Sequence, residues 1–335
     1  MLRRRFLQAT AGMIAGTALT GPAAAQTGPY RIYRITYRGR TEVEDGFDDY
    51  LASNGVAAEF IERDADRSTA RLPEFIDEIR ALKPDLVYTW GTPVTLGIAG
   101  RHDAPDKSAF ITDIPVVFAL VASPVAAGLV ADNARPGRML TGAVHVVPTE
   151  TQLRAMHAYR PITRLGVLYT GSEQNSVSIV EELRQLRETM GFSLVERQFR
   201  RGDDGRPSPD GIEDLIAEIG SEGANWVYLL PDTFLGTQYA RVVPAALAHQ
   251  LPTFGAAELA IRQGGALVGL ISRYYSVGQL AASKAVRILR DREPPRDIPI
   301  ETLKRFSLII NLPVAKKLDL YPPIEMLNYA EVLTG

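Results

Sequence analysis

The chain has 335 residues, of which 46% are hydrophobic and 23% are charged, and its formal net charge at pH 7 is −2. This composition is typical of a globular protein, and because a single core stops growing at this length, we expect two lobes. The small acidic charge excludes a basic field for nucleic acid, and the absence of cysteine excludes disulfides, a thiolate nucleophile and cysteine metal sites.

The first 25 residues have the features of an export signal. The sequence RRRFL at 3–7 precedes a weakly apolar run at 9–19 and three alanines that end at Ala25. This pattern predicts a twin-arginine signal peptide at 1–25, cleaved near Ala25; the alternatives are an ordinary Sec signal and an uncleaved anchor. The apolar run is too short to span a bilayer. We therefore expect a periplasmic protein whose mature charge is −2 − 3 = −5.

From residue 30 onward, short apolar runs alternate with longer segments of helical period, which predicts β-α-β units and parallel sheets. The first half has predicted strands at 32–37, 57–61, 86–88, 116–119 and 141–146, and predicted helices at 43–53, 69–82 and 93–101. The second half repeats this scheme, with strands at 165–169, 193–198, 226–230, 253–254, 267–271 and 306–311, and helices at 149–159, 174–190, 210–220, 235–249 and 277–290. Two similar α/β blocks therefore follow one another.

Sequence motifs of enzymes are missing. There is no nucleophile elbow, phosphate-binding loop, dinucleotide fingerprint or zinc-protease helix. The histidines are never spaced as a metal pair on one helix face, and only His145, near the end of the first block, merits closer attention. We therefore expect no catalytic residues, no metal and no cofactor, although an enzyme with an unfamiliar site stays an alternative.

Two turns of the first block follow strands and resemble each other. Thr92 follows Trp90 and precedes a proline, and Ser123 also precedes a proline. A hydroxyl residue followed by proline matches the N-cap and N1 positions of a helix, so capping alone accounts for both residues. Ligands of parallel sheets bind at these same strand ends, beside unpaired helix N–H groups. Both interpretations stay open.

Turns of the second block offer polar side chains at equivalent places. Asn175 and Ser176 follow one strand, and Asp232 follows the strand at 226–230. Asp232 either caps the next helix or faces a cationic group of a ligand. Tyr274 and Tyr275, between a strand and a helix, either line a cleft or pack where the lobes meet. Polar turns from two blocks that face each other would form a two-lobed clamp.

Several separated segments are informative together. They cover nearly the whole chain from about 30 to 332 and include IPVVFA at 114–119, SPVAAGLV at 123–130, LGVLY at 165–169, ENS at 173, 175 and 176, LPTF at 251–254 and AKKL at 315–318. These segments resemble the ABC-transporter substrate-binding protein family that includes tryptophan- and tyrosine-type binding proteins. Two departures concern the site. Ser123 stands where the family commonly has Asp, and Asp232 directly follows Pro231 where the family often has Thr-Asp-Asn.

The resemblance implies the type I periplasmic binding-protein fold, an α/β architecture of two Rossmann-like lobes with parallel sheets. We expect lobe 1 to comprise 30–147 and about 272–298, and lobe 2 to comprise 148–271 and about 299–335. The resemblance also implies a solute-binding component of an ABC importer, a monomer that captures a small solute and delivers it to an inner-membrane permease. A ligand-sensing protein of the same fold is the alternative.

The ligand-binding residues that the turns and the resemblance together indicate come from both lobes: Trp90, Thr92, Ser123, Asn175, Ser176, Asp232, Tyr274 and Tyr275. An α-amino acid would place its carboxylate near Thr92 or Asn175 and its ammonium on Asp232. Aromatic side chains would then stack on the ligand. Because the first-lobe carboxylate is replaced by Ser123, a neutral or anionic ligand is the alternative.

Overall fold

The computed structural model describes residues 28–334, so the predicted signal peptide at 1–25 lies outside the described residues. The first part of the chain alternates strands and helices. In chain order these are β1 Tyr30–Thr36, α1 Glu42–Ser53, β2 Ala58–Asp64, α2 Leu72–Leu82, β3 Leu86–Trp90, α3 Gly91–Ala99, β4 Val116–Ala119 and β5 Leu140–Val144.

The remaining elements continue the alternation up to the C-terminal segment. They are α4 Thr149–Tyr159, β6 Arg164–Tyr169, α5 Gln174–Met190, β7 Ser193–Gln198, α6 Ile212–Ser221, β8 Trp226–Leu229, α7 Leu235–Ala248, β9 Thr253–Gly255, α8 Glu258–Arg262, β10 Val268–Ile271, α9 Tyr274–Leu289, β11 Glu301–Thr302, β12 Ser307–Asn311, α10 Leu312–Lys317, α11 Ile324–Leu327 and β13 Glu331–Leu333.

The strands form two sheets, each the centre of one lobe. The lobe 1 sheet is parallel throughout, in the order β11-β5-β4-β3-β1-β2. The lobe 2 sheet has the order β13-β12-β10-β9-β8-β6-β7, and only the β10–β12 pair is antiparallel. Two lobes with mainly parallel sheets confirm the predicted fold class, and buried apolar side chains fill both faces of each sheet.

The chain crosses between the lobes three times. It leaves lobe 1 after β5, returns with α9, and leaves again between β11 and β12. The predicted boundary near 299 is too early, because Glu301 and Thr302 pair with Ala143 and Val144 of the lobe 1 sheet. A strand of two exposed residues has no apolar alternation, so the sequence pattern does not indicate it.

Helix α9 is held on lobe 1 by a close crossing with α1. A Cβ atom at Gly278 would lie 1.9 Å from the Val43 carbonyl oxygen, and one at Gly46 would lie 2.0 Å from the Tyr275 carbonyl oxygen. Only glycine permits backbones to approach this closely. The crossing fixes the start of α9, and with it Tyr274, at the seam between the lobes.

Candidate functional site

A cavity lies between the lobes, where strand ends of both sheets meet. Lobe 1 contributes the loop after β1, the start of α3, and residues after β4 and β5, whereas lobe 2 contributes the turns after β6 and β8. The lining side chains are mostly polar or aromatic: Arg38, Trp90, Gly91, Thr92, Leu120, Ala122, His145, Glu173, Asn175, Pro231, Asp232, Thr233, Gly236, Tyr239, Ala257 and Tyr274. We name this space the inner cavity.

Five of the eight predicted ligand-binding residues line the inner cavity. Trp90, Thr92 and Tyr274 come from lobe 1, and Asn175 and Asp232 come from lobe 2. All five are almost completely buried. The remaining three, Ser123, Ser176 and Tyr275, are not among the lining residues.

Thr92 is not the cap of α3. The helix begins at Gly91, its N-cap is Trp90, and no side chain makes a capping hydrogen bond there. Gly91 has a φ of +80°, a conformation that glycine adopts without steric cost and that turns the strand directly into the helix. The helix therefore starts two residues before the expected position. As a result, the Thr92 side chain faces the cavity beside unpaired N–H groups of the first turn.

Ser123 also does not cap a helix, because residues 124–128 form a turn in which the Ala127 N–H donates to the Ser123 carbonyl. Its neighbour Ala122 lines the inner cavity instead. Tyr275 lies on the other side of α9, where its hydroxyl donates to the Asp49 carboxylate at 2.8 Å. Its pKa is raised by that hydrogen bond. Tyr274 and Tyr275 are consecutive residues in the first turn of α9, and consecutive side chains of a helix point in different directions.

Asp232 is a buried hydrogen-bond acceptor that joins three segments of lobe 2. Its carboxylate accepts from the N–H and hydroxyl of Thr170, from the Ser176 hydroxyl and from the Leu235 N–H, at 2.7–3.0 Å. Ser176 therefore orients Asp232 rather than lining the cavity. With four donors already bound to it, Asp232 has little capacity left for a ligand ammonium.

Glu173 was not predicted as a ligand-binding residue, although it belongs to the ENS motif at 173, 175 and 176. Its carboxylate accepts from the Thr233 N–H at 2.9 Å and from the Thr233 hydroxyl at 2.7 Å. Both bonds tie together two turns of lobe 2, and the carboxylate keeps acceptor capacity toward the inner cavity. The signal in the sequence was that Glu173 directly precedes the predicted helix at 174–190.

Arg38, also missed, is the cationic side chain that lines the inner cavity. Its guanidinium lies over the Trp90 ring, 4.7 Å from the centroid, and Nη1 donates to the Gly236 carbonyl of lobe 2 at 3.2 Å. A Cβ atom at position 236 would lie 3.0 Å from Nη1, so glycine gives the guanidinium room. The signal for Arg38 was its place in the loop after β1, because that loop follows a predicted strand as the other turns do.

Aromatic rings form much of the remaining wall. Tyr37 stacks on Trp90 with centroids 6.3 Å apart, and His145 meets Tyr274 edge to face, also at 6.3 Å. Tyr239, from α7, is a further buried aromatic residue that the sequence analysis did not select. Such rings offer apolar surface with fixed orientation for a planar or aliphatic ligand group.

Burial shifts the proton affinities of the lining groups. Burial and the positive charge of Arg38 lower the pKa of His145 to about 3, so the imidazole is neutral at neutral pH. Burial, reinforced by the charge of Asp232, raises the pKa of Glu173, and burial likewise raises the pKa of Asp232. Burial raises the pKa of Tyr274 to about 12. Closely spaced buried carboxyls therefore favour a positively charged neighbour.

Unsatisfied polar atoms concentrate at the inner cavity. Among residues 28–334, seven buried side-chain nitrogen or oxygen atoms have no hydrogen-bond partner in the protein, and four of them belong to residues that line this cavity. These four are Arg38 Nε, Trp90 Nε1, His145 Nδ1 and Asn175 Oδ1. Because buried polar groups are nearly always paired, this concentration points to a polar ligand.

The inner cavity combines charged groups of both signs with no group of metal-ligating side chains among residues 28–334. No three His, Asp or Glu side chains are grouped to hold a metal ion anywhere in the part of the chain that the structure describes. Within residues 28–334, no helix is long and apolar enough to cross a membrane. The cavity offers a guanidinium from one lobe and carboxyls from the other, a pairing that binds a solute with both charges.

The fold and the cavity define a two-lobed solute-binding protein. The model of the ABC transporter substrate-binding protein family matches residues 33–333, and the chain belongs to that family. Family membership confirms the predicted resemblance. It also confirms that the chain is not an enzyme, since the family consists of extracytoplasmic proteins that bind small solutes and work with an ABC permease.

One curated relative is a tyrosine-binding protein from Clostridioides difficile (strain R20291). It is 26% identical over 239 residues, which cover 71% of this chain and 64% of that protein. The chain therefore matches less than two thirds of this relative's length.

Solved structures of similar fold cover most of the chain. A conserved domain protein from Vibrio cholerae has a TM-score of 0.78 at 23% identity, covering 91% of this chain and 99% of that one. An ABC domain in complex with L-Trp from Streptococcus pneumonia also has a TM-score of 0.78, at 21% identity, covering 91% of this chain and 100% of that one. A ligand-free, open substrate-binding protein from Clostridium difficile has a TM-score of 0.68 at 22% identity, with coverages of 91% and 99%.

Proposed function

We propose that the chain is the solute-binding component of an ABC importer and captures a small α-amino acid in the cleft between its lobes. The observation that carries the proposal is the inner cavity, where four buried polar atoms lack partners and the two lobes supply opposite charges. A zwitterion brings the complementary charges and hydrogen-bonding groups.

The solute's carboxylate is assigned to lobe 1. Arg38 presents a guanidinium whose Nε has no partner in the described chain, and the first turn of α3 adds N–H groups beside Thr92. Guanidinium and helix N–H groups are the donors that a carboxylate prefers.

The solute's ammonium is assigned to lobe 2, with Glu173 as its main partner. The expected partner, Asp232, already accepts four hydrogen bonds, whereas Glu173 accepts two and Asn175 Oδ1 accepts none. Asp232 contributes its negative charge without accepting a hydrogen bond from the ammonium. An approaching ammonium would also draw Glu173 into its ionised form, because a nearby positive charge lowers a carboxyl pKa.

An aromatic side chain is the first candidate for the rest of the solute. Trp90 and Tyr274 offer ring surface, and two similar proteins bear on the class: one is a tyrosine-binding protein and one was solved with L-Trp. Their ligands belong to those proteins and suggest which amino acids to try first with this chain.

The alternative function is ligand sensing by a protein of the same fold that signals to a membrane receptor. The cavity is equally suited to both roles. Permease and ATPase genes beside this one would favour import, and a receptor gene in their place would favour sensing. Periplasmic location, cleavage near Ala25 and a monomeric state also stay predictions, and N-terminal sequencing of the exported protein tests the cleavage site.

A thermal-shift screen of the mature protein against amino acids and small organic acids tests the proposal. A ligand at about 100 times its Kd stabilises the folded state by about 2.7 kcal/mol, which raises Tm by a few degrees. We expect aromatic amino acids to raise Tm and dicarboxylic acids without an ammonium to have little effect. Tyr275→Phe, outside the cavity, is the matched control and should respond like the wild type. If no zwitterion in the library raises Tm, the proposal is refuted.

A further inference from the structure

A second and larger cavity adjoins the inner one at the mouth of the cleft. The two share Thr92, Glu173, Asn175 and Thr233, so these four residues stand between them. The inner cavity leaves about 40 Å³ for the centres of water-sized molecules, whereas this outer cavity leaves about 520 Å³. With the lobes in this arrangement, the inner cavity has room for a small polar head group, and the outer one has room for the body of a solute.

Three arginines line the outer cavity, and one acid, Glu173, lies at its junction with the inner one. Arg101 is paired with Asp103 at 2.9 Å, and Arg206 lies 3.8 Å from Asp204. Arg67 forms no ion pair with any residue between 28 and 334 and is exposed to solvent. Among the side chains that line the outer cavity, cations therefore outnumber acids by three to one, and Arg67 is the cation available to a ligand anion.

The backbone around Arg67 is held in an unusual conformation. Asp66 and Arg67 have φ values of +48° and +60°, which side-chain-bearing residues rarely adopt. Two hydrogen bonds to Tyr37 hold the segment: the Arg67 N–H donates to the Tyr37 carbonyl at 2.7 Å, and the Tyr37 hydroxyl donates to the Arg67 carbonyl at 2.9 Å. Such conformations persist where surrounding contacts impose them, often at ligand-binding segments.

The walls of the outer cavity between the arginines are amphipathic. Tyr37, Leu96 and Phe234 provide apolar surface, all three half-buried. Tyr37 also stacks on Trp90, so ring surface continues from the inner cavity into the outer one. A solute that reaches the outer cavity from the inner one would contact both this apolar surface and the arginines.

We propose that the natural solute is an α-amino acid with an extended side chain that ends in an anionic group, a carboxylate, sulfate or phosphate. Its amino-acid head occupies the inner cavity, its side chain crosses the apolar part of the outer cavity, and the terminal anion meets Arg67 with Arg206. This inference rests on the proposed function and narrows it, because a free aromatic amino acid would leave Arg67 without an anionic partner.

Isothermal titration with three ligands of similar shape tests the inference. L-Tyrosine, 4-carboxy-L-phenylalanine and 4-aminomethyl-L-phenylalanine share the same head and ring and differ in the charge at the far end. We expect the carboxylate compound to bind about threefold to tenfold more tightly than tyrosine, and the cationic compound to bind most weakly. The preference should diminish in about 0.5 M salt, since exposed arginines are screened.

Arg67→Gln should abolish most of the preference for the carboxylate compound over tyrosine, measured as the ratio of their two Kd values. Arg71→Gln is the matched control, because Arg71 is a nearby exposed arginine that pairs with Glu74 and lines neither cavity. If tyrosine binds but the carboxylate compound gains nothing, or if Arg67→Gln leaves the preference intact, the inference is wrong and the proposed function stands. If none of the three ligands binds, the inference is wrong, and the thermal-shift screen against other amino acids decides the proposed function.

Discussion

The two lobes contribute opposite chemistry to the cavity between them. Lobe 1 supplies a guanidinium, Arg38, and the neutral imidazole of His145, whereas lobe 2 supplies the carboxyls of Glu173 and Asp232. Neither lobe alone offers partners for both ends of a zwitterion. A zwitterionic solute therefore stabilises the arrangement in which the lobes face each other, because only that arrangement satisfies both of its charges.

The lobes also differ in how their charged groups are supported. Asp232 is fixed by four hydrogen bonds within lobe 2, whereas Arg38 Nε lacks a partner in the described chain and its Nη1 reaches across to Gly236. Asp232 is thus held entirely within lobe 2, whereas the Arg38 hydrogen bond joins the two lobes. Substitutions on the two sides should separate stability from ligand affinity.

Asp232→Ala should have the largest effect, on stability. Removing a buried carboxylate that accepts four hydrogen bonds leaves four donors unsatisfied, with an expected loss of about 3–5 kcal/mol in the free energy of unfolding. Urea unfolding measures it. Asp232→Asn, which keeps an acceptor oxygen, is the control and should lose less. A loss below about 1 kcal/mol in the alanine variant would argue against this structural role.

Glu173→Gln should mainly lower ligand affinity. The amide keeps an oxygen for the Thr233 N–H, and its NH2 can donate to the Thr233 hydroxyl oxygen. It removes the charge for the ammonium, so we expect a loss of about 1.5–3 kcal/mol in binding, tenfold or more in Kd. Isothermal titration with the best amino-acid ligand measures it. Stability should not fall, because the variant no longer buries an acid next to Asp232. Unchanged affinity would remove Glu173 from the ammonium site.

Arg38→Met should weaken binding somewhat less, by about 1–2 kcal/mol, because helix N–H groups still face the carboxylate. The variant also loses the bond from Nη1 to the Gly236 carbonyl. Small-angle scattering without ligand should therefore show a larger radius of gyration than for the wild type. Arg38→Lys keeps the charge without the planar fork and should lie between the two. A methionine variant with wild-type affinity would show that the carboxylate binds elsewhere.

The pH dependence of stability should differ in sign between the lobes. Glu173 has a pKa raised above its ordinary 4.5, so its contribution is full below that value and is lost as pH rises. His145 has a pKa lowered from 6.5 to about 3, so its contribution is full above 6.5 and is lost as pH falls. Between pH 4.5 and 6.5, the titration of Glu173 therefore lowers stability as pH rises, whereas the titration of His145 raises it.

Unfolding free energies measured between the two ordinary values, 4.5 and 6.5, test this opposition. Glu173→Gln should make stability rise more steeply with pH, and His145→Gln should make it rise less steeply. Each change is a fraction of the roughly 1.4 kcal/mol per pH unit that one proton can supply. Equal slopes in wild type and both variants would mean that neither group titrates differently on folding.

Much of the fold was predictable because it follows from repeating patterns. Strands such as Val116–Ala119 and Ser193–Gln198 have the bounds that apolar runs predict. Elements without such a pattern were missed, including β11 and β13, which are only two and three residues long. Their pairing depends on a neighbouring strand distant in sequence, and a local pattern does not contain that information.

The candidate site was predictable where a residue stands at a strand end, but the direction of its side chain was not. Thr92 was predicted as a site residue, but because the helix begins at Gly91, Thr92 lines the inner cavity and does not cap the helix. Asp232 and Glu173 stand in equivalent turns, and only the four donors around Asp232 show which carboxyl is free for a ligand. Arg38 was missed because no proline, serine or threonine adjoins it; the threonine of its turn, Thr41, stands three residues further on as the N-cap of α1.

The smallest effect should come from the predicted residues that the structure places outside the inner cavity. Tyr275→Phe removes a hydroxyl that bonds Asp49 at the surface of lobe 1, and Ser123→Ala removes a hydroxyl in a turn. Each should change ligand affinity by less than about 0.5 kcal/mol. Titration of both beside Tyr274→Phe, inside the cavity, sharpens the test, because the three variants each remove one hydroxyl. A loss at Tyr275 as large as at Tyr274 would mean that the solute extends along α9, beyond the space between the lobes.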